Sequence, residues 1–171
     1  MATFGNTTGT GDLFGGGQNG TSAGSAFVLS EAGAVSKLTA IISNVDAGHA
    51  TCNMKGFIYA DNGGVAGALI AATNVTAVAD NFAKAAKDLL FAAPVNLAAG
   101  TYWLIVNGDA DAAGCGMWLD SGGTLAYCTS DDYAAPNDPY VTDGTIGYTA
   151  CIYATYAPAA VSYMTTKRGM W

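Results

Sequence analysis

The chain has 171 residues, a formal net charge of −7 and only 11% Asp, Glu, Lys and Arg, against about 25% in an average soluble domain. An acidic chain so poor in cations has no electrostatic attraction to nucleic acid or to an anionic membrane, and none of its apolar runs approaches the roughly 18 residues of a spanning helix. One domain of this length can bury a core without disulfide support, and 23 Gly beside only four Pro point to many tight turns between short strands.

Residues 1–24 are rich in Gly, Thr, Asn and Ser, interrupted by Phe4, Leu13 and Phe14. They read as an N-terminal arm or a first strand with long loops. The first residues, Met1-Ala2-Thr3-Phe4-Gly5-Asn6, carry neither the basic stretch nor the apolar run of a signal peptide. That gives the expectation of a protein folded in the cytoplasm where it is made.

From Ser25 the pattern firms into strands. Ser25–Leu29 is followed by a turn at Ser30–Gly33, and Val35–Ile42 suits a pleated, half-buried surface. Thr51–Ala60 alternates: Cys52, Met54, Gly56, Ile58 and Ala60 face one way, and Asn53, Lys55, Phe57 and Tyr59 the other. Asp61-Asn62-Gly63-Gly64 ends it with a turn. Leu69–Val78 supplies one or two strands. Asn81–Leu90 holds helix formers and could make a helical turn, with strand expected from Lys87 to Phe91. A Gly turn then leads into Thr101–Val106, whose apolar run suits a central strand.

Met117–Leu119, Thr124–Cys128 and Ile146–Tyr156 complete the set. In the last of these Tyr148, Ile152 and Tyr156 share a face, with Cys151 and Tyr153 on the other. The sum is an all-β chain, a jelly-roll-like antiparallel β-sandwich with about eight or nine strands. It would occupy residues 25–157. Residues 158–171 read as a C-terminal docking tail, because an exposed end carrying Tyr163, Met164, Met170 and Trp171 is sticky unless covered.

The inventory for catalysis is thin. His49 is the only histidine and stands in a loop, where a lone imidazole is ordinarily a solvated bystander. No G-x-S-x-G, H-E-x-x-H or P-loop pattern occurs. The four cysteines (Cys52, Cys115, Cys128 and Cys151) have neither C-x-x-C spacing nor a nearby His, which argues against zinc. Cys52 and Cys151 read as buried thiols, whereas Cys115 and Cys128 bracket a hairpin and could pair under oxidising conditions. Asp109, Asp111, Gly114 and Asp120 copy four positions of a calcium loop, but Ala113 lacks a side-chain oxygen and the flanks are strands. An Asp/Gly-rich hairpin is the simpler reading, so no metal or cofactor is expected. Tyr127, Tyr133 and Tyr140 lie in or beside loops and form the candidate glycan platform, though aromatics are also ordinary core material in a sandwich.

Four pieces of the chain carry a resemblance. They are Phe27-Val28-Leu29 before Gly33, the run from Gly56 to Gly64, Val65-Ala66-Gly67-Ala68-Leu69, and the run from Leu97 to Leu104. Together they resemble a recurrent jelly-roll β-sandwich of phage virion (decoration and auxiliary) proteins and bacterial surface proteins. The resemblance covers about residues 25 to 107 and implies a carrier fold with no catalytic motif to transfer. The expectation is therefore a non-enzymatic capsid decoration (cement) or auxiliary virion protein, homo-oligomeric and bound to neighbouring subunits, with no nucleic-acid or membrane partner. Phe4, Phe14, Tyr163, Met164 and Trp171 would fill partner pockets. The alternatives are a carbohydrate-binding or adhesin module at the extracellular surface, and a subunit of a homopolymeric surface filament.

Overall fold

Alternating apolar and polar residues, punctuated by Gly, Asn and Asp turns, make this chain a succession of antiparallel strands. The computed structural model describes residues 1–14, 21–44, 51–109, 115–129 and 131–160. In chain order the strands are β1 (Ala2–Gly5), β2 (Leu13–Phe14), β3 (Ser22–Leu29), β4 (Gly33–Asn44), β5 (Cys52–Asp61) and β6 (Ala66–Ala72). They continue as β7 (Thr76–Val78), β8 (Phe82–Leu97), β9 (Gly100–Gly108), β10 (Cys115–Cys128), β11 (Gly144–Ala150) and β12 (Ile152–Pro158).

All twelve join one antiparallel sheet in the order β1-β12-β4-β10-β3-β9-β5-β6, with β8 on the other edge of β4, β7 on β5, and β2 and β11 on β10. The all-β reading is met, and the strand count of about eight or nine is too low. Residues 1–14 join the sheet: β1 pairs with β12, and β2 with β10. Leu69–Val78 divides into β6 and β7. Residues 82–86, with their helix-forming Ala and Lys, are strand, because register with β4 runs from Phe82 to Leu97 and overrides local propensity.

Strand β10 holds the sheet together. Its first residues pair with Ile42–Asn44 of β4, and its later ones with β11 and β3. The register shifts between Ser121 and Leu125, where Gly122 and Gly123 take φ of 87° and 84°. Those values favour glycine, and a side chain at Gly123 would also strike Thr149. Strands β11 and β12 are one run interrupted at Cys151, the first part paired to β10 and the second to β4.

The sheet doubles over, so that Leu29, Ile58 and Leu104 share one core with Leu38, Leu89 and Ile152. Ile146, Tyr148, Ile152 and Tyr156 turn to this core, as the spacing of the last strand predicts. Close approach is set at Gly56. An added Cβ there would come within 2.8 Å of Leu38 Cδ1 and 3.0 Å of Leu89 Cδ1 on the facing strands. The alternation of β5 is also realised. Cys52, Met54 and Ile58 enter the main core, while Phe57 and Tyr59 enter a second one with Trp103, Ile105, Cys128 and Tyr140.

A disulfide joins Cys52 at the start of β5 to Cys115 at the start of β10, closing a loop across 63 positions with Cα atoms 6.5 Å apart. This corrects both the pairing of Cys115 with Cys128 and the reading of Cys52 as a thiol. Cys128 lies buried against the Asn137 amide, 3.6 Å away. The outcome reflects neighbours in space, which hairpin spacing along the chain does not report.

The packing at Gly56 gives a direct check. Gly56→Val is expected to cost roughly 2–3 kcal/mol in denaturant unfolding by overpacking the core. Gly147→Val, where an added Cβ meets nothing within 4 Å, is expected to change stability by no more than about 0.5 kcal/mol.

Candidate functional site

The aromatic docking set divides. Phe4 is 7% exposed, held in this chain's own core between Tyr102 and Tyr156 at ring separations of 6.4 and 6.1 Å. The reading of Phe4 as a partner anchor is therefore corrected: the ring completes the fold. Phe14 is half-buried, with its ring 6.2 Å from that of Tyr127. Tyr163, Met164 and Trp171 lie outside the described residues, as does His49.

The three tyrosines proposed as a glycan platform do not form one. Tyr140 is 6% exposed, packs edge-on against Tyr59 at 5.2 Å, and hydrogen-bonds the Ser22 hydroxyl at 3.0 Å. Burial pushes its phenol well above the ordinary range. Tyr133 is half-buried, with the Lys55 ammonium 5.1 Å from its ring centre. Its phenol is pushed up to about 12 by burial and then by the Asp109 charge. Tyr127 is half-buried beneath Phe14. With Tyr140 in the core, the three rings do not make one exposed platform.

Two of the three acidic residues of the calcium reading, Asp109 and Asp120, are described. Asp109 accepts from the Asn53 amide at 3.1 Å and from Asn53 Nδ2 at 2.7 Å. Asp111 lies outside the described residues. Asp120 acts as a clasp on the N-terminal segment. Its carboxylate accepts from Asn6 Nδ2 at 2.8 Å, the Thr8 hydroxyl, the Thr10 amide at 2.8 Å and the Thr10 hydroxyl at 3.0 Å. Among the described residues no three acidic, His or Cys side chains converge as metal ligands.

The clasp is one instance of a general arrangement. Of the thirteen acidic residues, Asp46 and Asp111 lie outside the described residues, and each of the other eleven accepts a hydrogen bond from this chain. Asp143 takes the Thr129 amide and hydroxyl, both at 2.6 Å, and Asp138 takes the Leu69 amide at 2.9 Å. Asp131 takes the Asn137 amide at 2.8 Å. Asp61 takes the Gly64 amide at 3.2 Å and the Trp103 indole at 2.9 Å. A shallow groove of about 450 Å³ opens beside Asp61, Trp103 and Thr124, but Trp103 is only 3% exposed and its indole donor is already engaged.

These contacts set the electrostatics. Hydrogen bonds from Thr8 and Asn6 hold the Asp120 carboxyl far below the usual carboxylate range, against the opposing effect of burial. The Thr129 hydroxyl and amide lower Asp143 in the same way. Burial, with the nearby Asp120 charge, pushes the Cys151 thiol up to about 12, which leaves it protonated and inert at neutral pH. What sequence spacing could not supply is the pairing of Asp120 with residues more than a hundred positions away.

Comparison of the chain with family models, with curated proteins and with solved structures finds no match.

The Asp120 clasp yields a pH dependence. A carboxyl whose folded value lies below its unfolded value of about 3.9 contributes stability that is complete well above that value and is lost progressively as pH falls from there through the lower folded value. Asp120→Asn is therefore expected to lower the melting temperature at pH 7 and to flatten its decline between pH 5 and pH 2. Limited proteolysis at neutral pH should also reach residues 6–12 sooner in the variant.

Proposed function

We propose that this chain is a non-enzymatic structural subunit, a capsid decoration or auxiliary virion protein built on a jelly-roll-like sandwich and bound to neighbouring subunits. The observation that carries this reading is the use made of its acidic side chains. All eleven that are described accept hydrogen bonds within the chain, and many of these fasten loops and the N-terminal segment to the sheet. Carboxylates held in this way make a stiff block, whereas an acid–base site needs groups poised to exchange protons near the working pH.

Other features point the same way. The disulfide ties the start of β5 to the start of β10. The exposed apolar side chains Val28, Val65, Val75, Leu90 and Val141 are set on this frame at different places. Small apolar contacts on rigid supports suit repeated, low-entropy docking between subunits. The jelly-roll assignment draws on the sequence resemblance between about residues 25 and 107 and on the doubled-over sheet with strands that pass between its layers.

The test is immunogold electron microscopy of phage particles from the source culture, using antibody raised against the purified chain. Regular labelling of virions is expected, together with co-sedimentation of the chain with them. Unlabelled particles, combined with micromolar binding to a defined glycan on an array, would overturn the reading in favour of the adhesin alternative.

A further inference from the structure

The loop from Asp131 to Tyr140 lies over one end of the second core. Beneath it, register sets Cys128 of β10, Ser22 of β3, Asn107 of β9 and Lys55 of β5 in one row across the sheet. The next rows on the same face carry Ala126, Ile105 and Phe57, then Trp103 and Tyr59. The core therefore turns from aromatic to polar at this end.

Most polar groups here are engaged. The Tyr140 hydroxyl meets the Ser22 hydroxyl at 3.0 Å and the Ser22 carbonyl at 3.2 Å. Asn107 Nδ2 donates to the Asp131 carbonyl at 3.1 Å, and Asp131 Oδ1 accepts from the Asn137 amide at 2.8 Å. Three atoms are left over. Asn107 Oδ1, Asp131 Oδ2 and the Tyr133 hydroxyl are buried and have no hydrogen-bond partner in the chain. Asn107 and Asp131 are both 0% exposed. The bond from Nδ2 fixes the amide, because turning it over would set Oδ1 against the Asp131 carbonyl.

Asn107 Oδ1 and an Asp131 carboxylate oxygen only accept, so neither satisfies the other. A carboxylate oxygen buried without a donor or a cation is costly. Lys55 does not supply the charge, since its ammonium lies over the Tyr133 ring, 5.1 Å from the centre. Among the described residues the one ion pair is Lys37–Asp88, on β4 and β8. The Tyr59 phenol, which donates to the Asn137 carbonyl at 3.1 Å, is pushed up first by burial and next by the Asp131 charge. A buried water can donate to both oxygens but brings no charge to Asp131.

We infer that a calcium ion binds beneath this lid, held by Asp131 Oδ2 and Asn107 Oδ1 with the Tyr133 hydroxyl beside them. The unpartnered atoms are all oxygens, which selects a hard cation. Calcium accepts irregular sets of carboxylate, amide and water oxygens, whereas magnesium demands near-octahedral geometry and gives up water reluctantly. The site shares no residue with Asp109, Asp111 and Asp120, and its single carboxylate gives it no acidic-cluster signature in the sequence. The ion would tie the lid to β9 as the carboxylates tie other loops to the sheet.

The experiment treats the full chain with chelator and then adds back single cations, reading calorimetric heat and melting temperature. Calcium at millimolar concentration is expected to bind and to raise the melting temperature, with magnesium, and sodium at matched ionic strength, leaving it unchanged. Asp131→Asn keeps an acceptor for the Asn137 amide but should weaken calcium binding by at least about tenfold. Asp80→Asn, which removes an exposed carboxylate elsewhere, should bind calcium as the parent does. Asn107→Asp sets a second carboxylate against Asp131; it should melt lower than the parent without calcium and recover when calcium is added. That variant keeps the inference testable should Asp131→Asn misfold. No heat and no shift with calcium, as a buried water in the ion's place would give, would overturn the inference. So would a shift seen with sodium alone, undiminished calcium binding in Asp131→Asn, or an Asn107→Asp chain that calcium does not rescue.

Discussion

The fold depends on carboxylates accepting hydrogen bonds from backbone and side chains far away in sequence. A carboxylate has about four acceptor sites and bonds to an amide more strongly than a neutral oxygen does. Asp120 uses this capacity to gather Asn6, Thr8 and Thr10 onto β10. Without it, the stretch between β1 and β2 would be a polar, Gly-rich segment with no apolar reason to lie on the sheet. The same device recurs over long separations at Asp138 and Asp61, and over shorter ones at Asp143 and Asp131. A chain with only 11% charged residues thus places most of its negative charge in internal ties.

That arrangement links composition to mechanics. Twelve strands in one sheet need many connections, and Gly-rich connections are entropically costly to order. Carboxylate ties offset this cost locally, and the disulfide between Cys52 and Cys115 restrains the starts of β5 and β10. Tyr140 extends the same logic with apolar surface. Its ring closes the second core over Tyr59, and its hydroxyl meets Ser22. The loop that carries Asp131, Asp138 and Tyr140 is consequently a lid fixed at several points.

Much of the strand pattern was legible in the sequence because its signals are local. The alternation in Thr51–Ala60 separates Cys52, Met54 and Ile58 from Phe57 and Tyr59, and the two sets enter two different cores. Tyr148, Ile152 and Tyr156 share the expected face. The run ending at Val106 lies between two neighbours, β3 and β5. Long-range features were not legible. Residues 1–14 look like an arm until Asp120 and β12 are placed beside them. Phe4, Tyr140 and Cys52 each changed role once their spatial neighbours were known. The first stretch of β8 was hidden as a strand by Ala and Lys residues whose local preference is helical.

The account stands on the carboxylate ties, and hydrogen–deuterium exchange of individual amides measures them most directly. Thr10, Gly64, Thr129 and Asn137 donate backbone N–H groups to Asp side chains from loops, connections or a strand end, and Leu69 does so from the middle of β6. At neutral pH the account predicts that these amides exchange far more slowly than an unstructured chain, and that Asp120→Asn accelerates Thr10 selectively. Exchange at unstructured rates for these amides, alongside protected strand interiors, would contradict it.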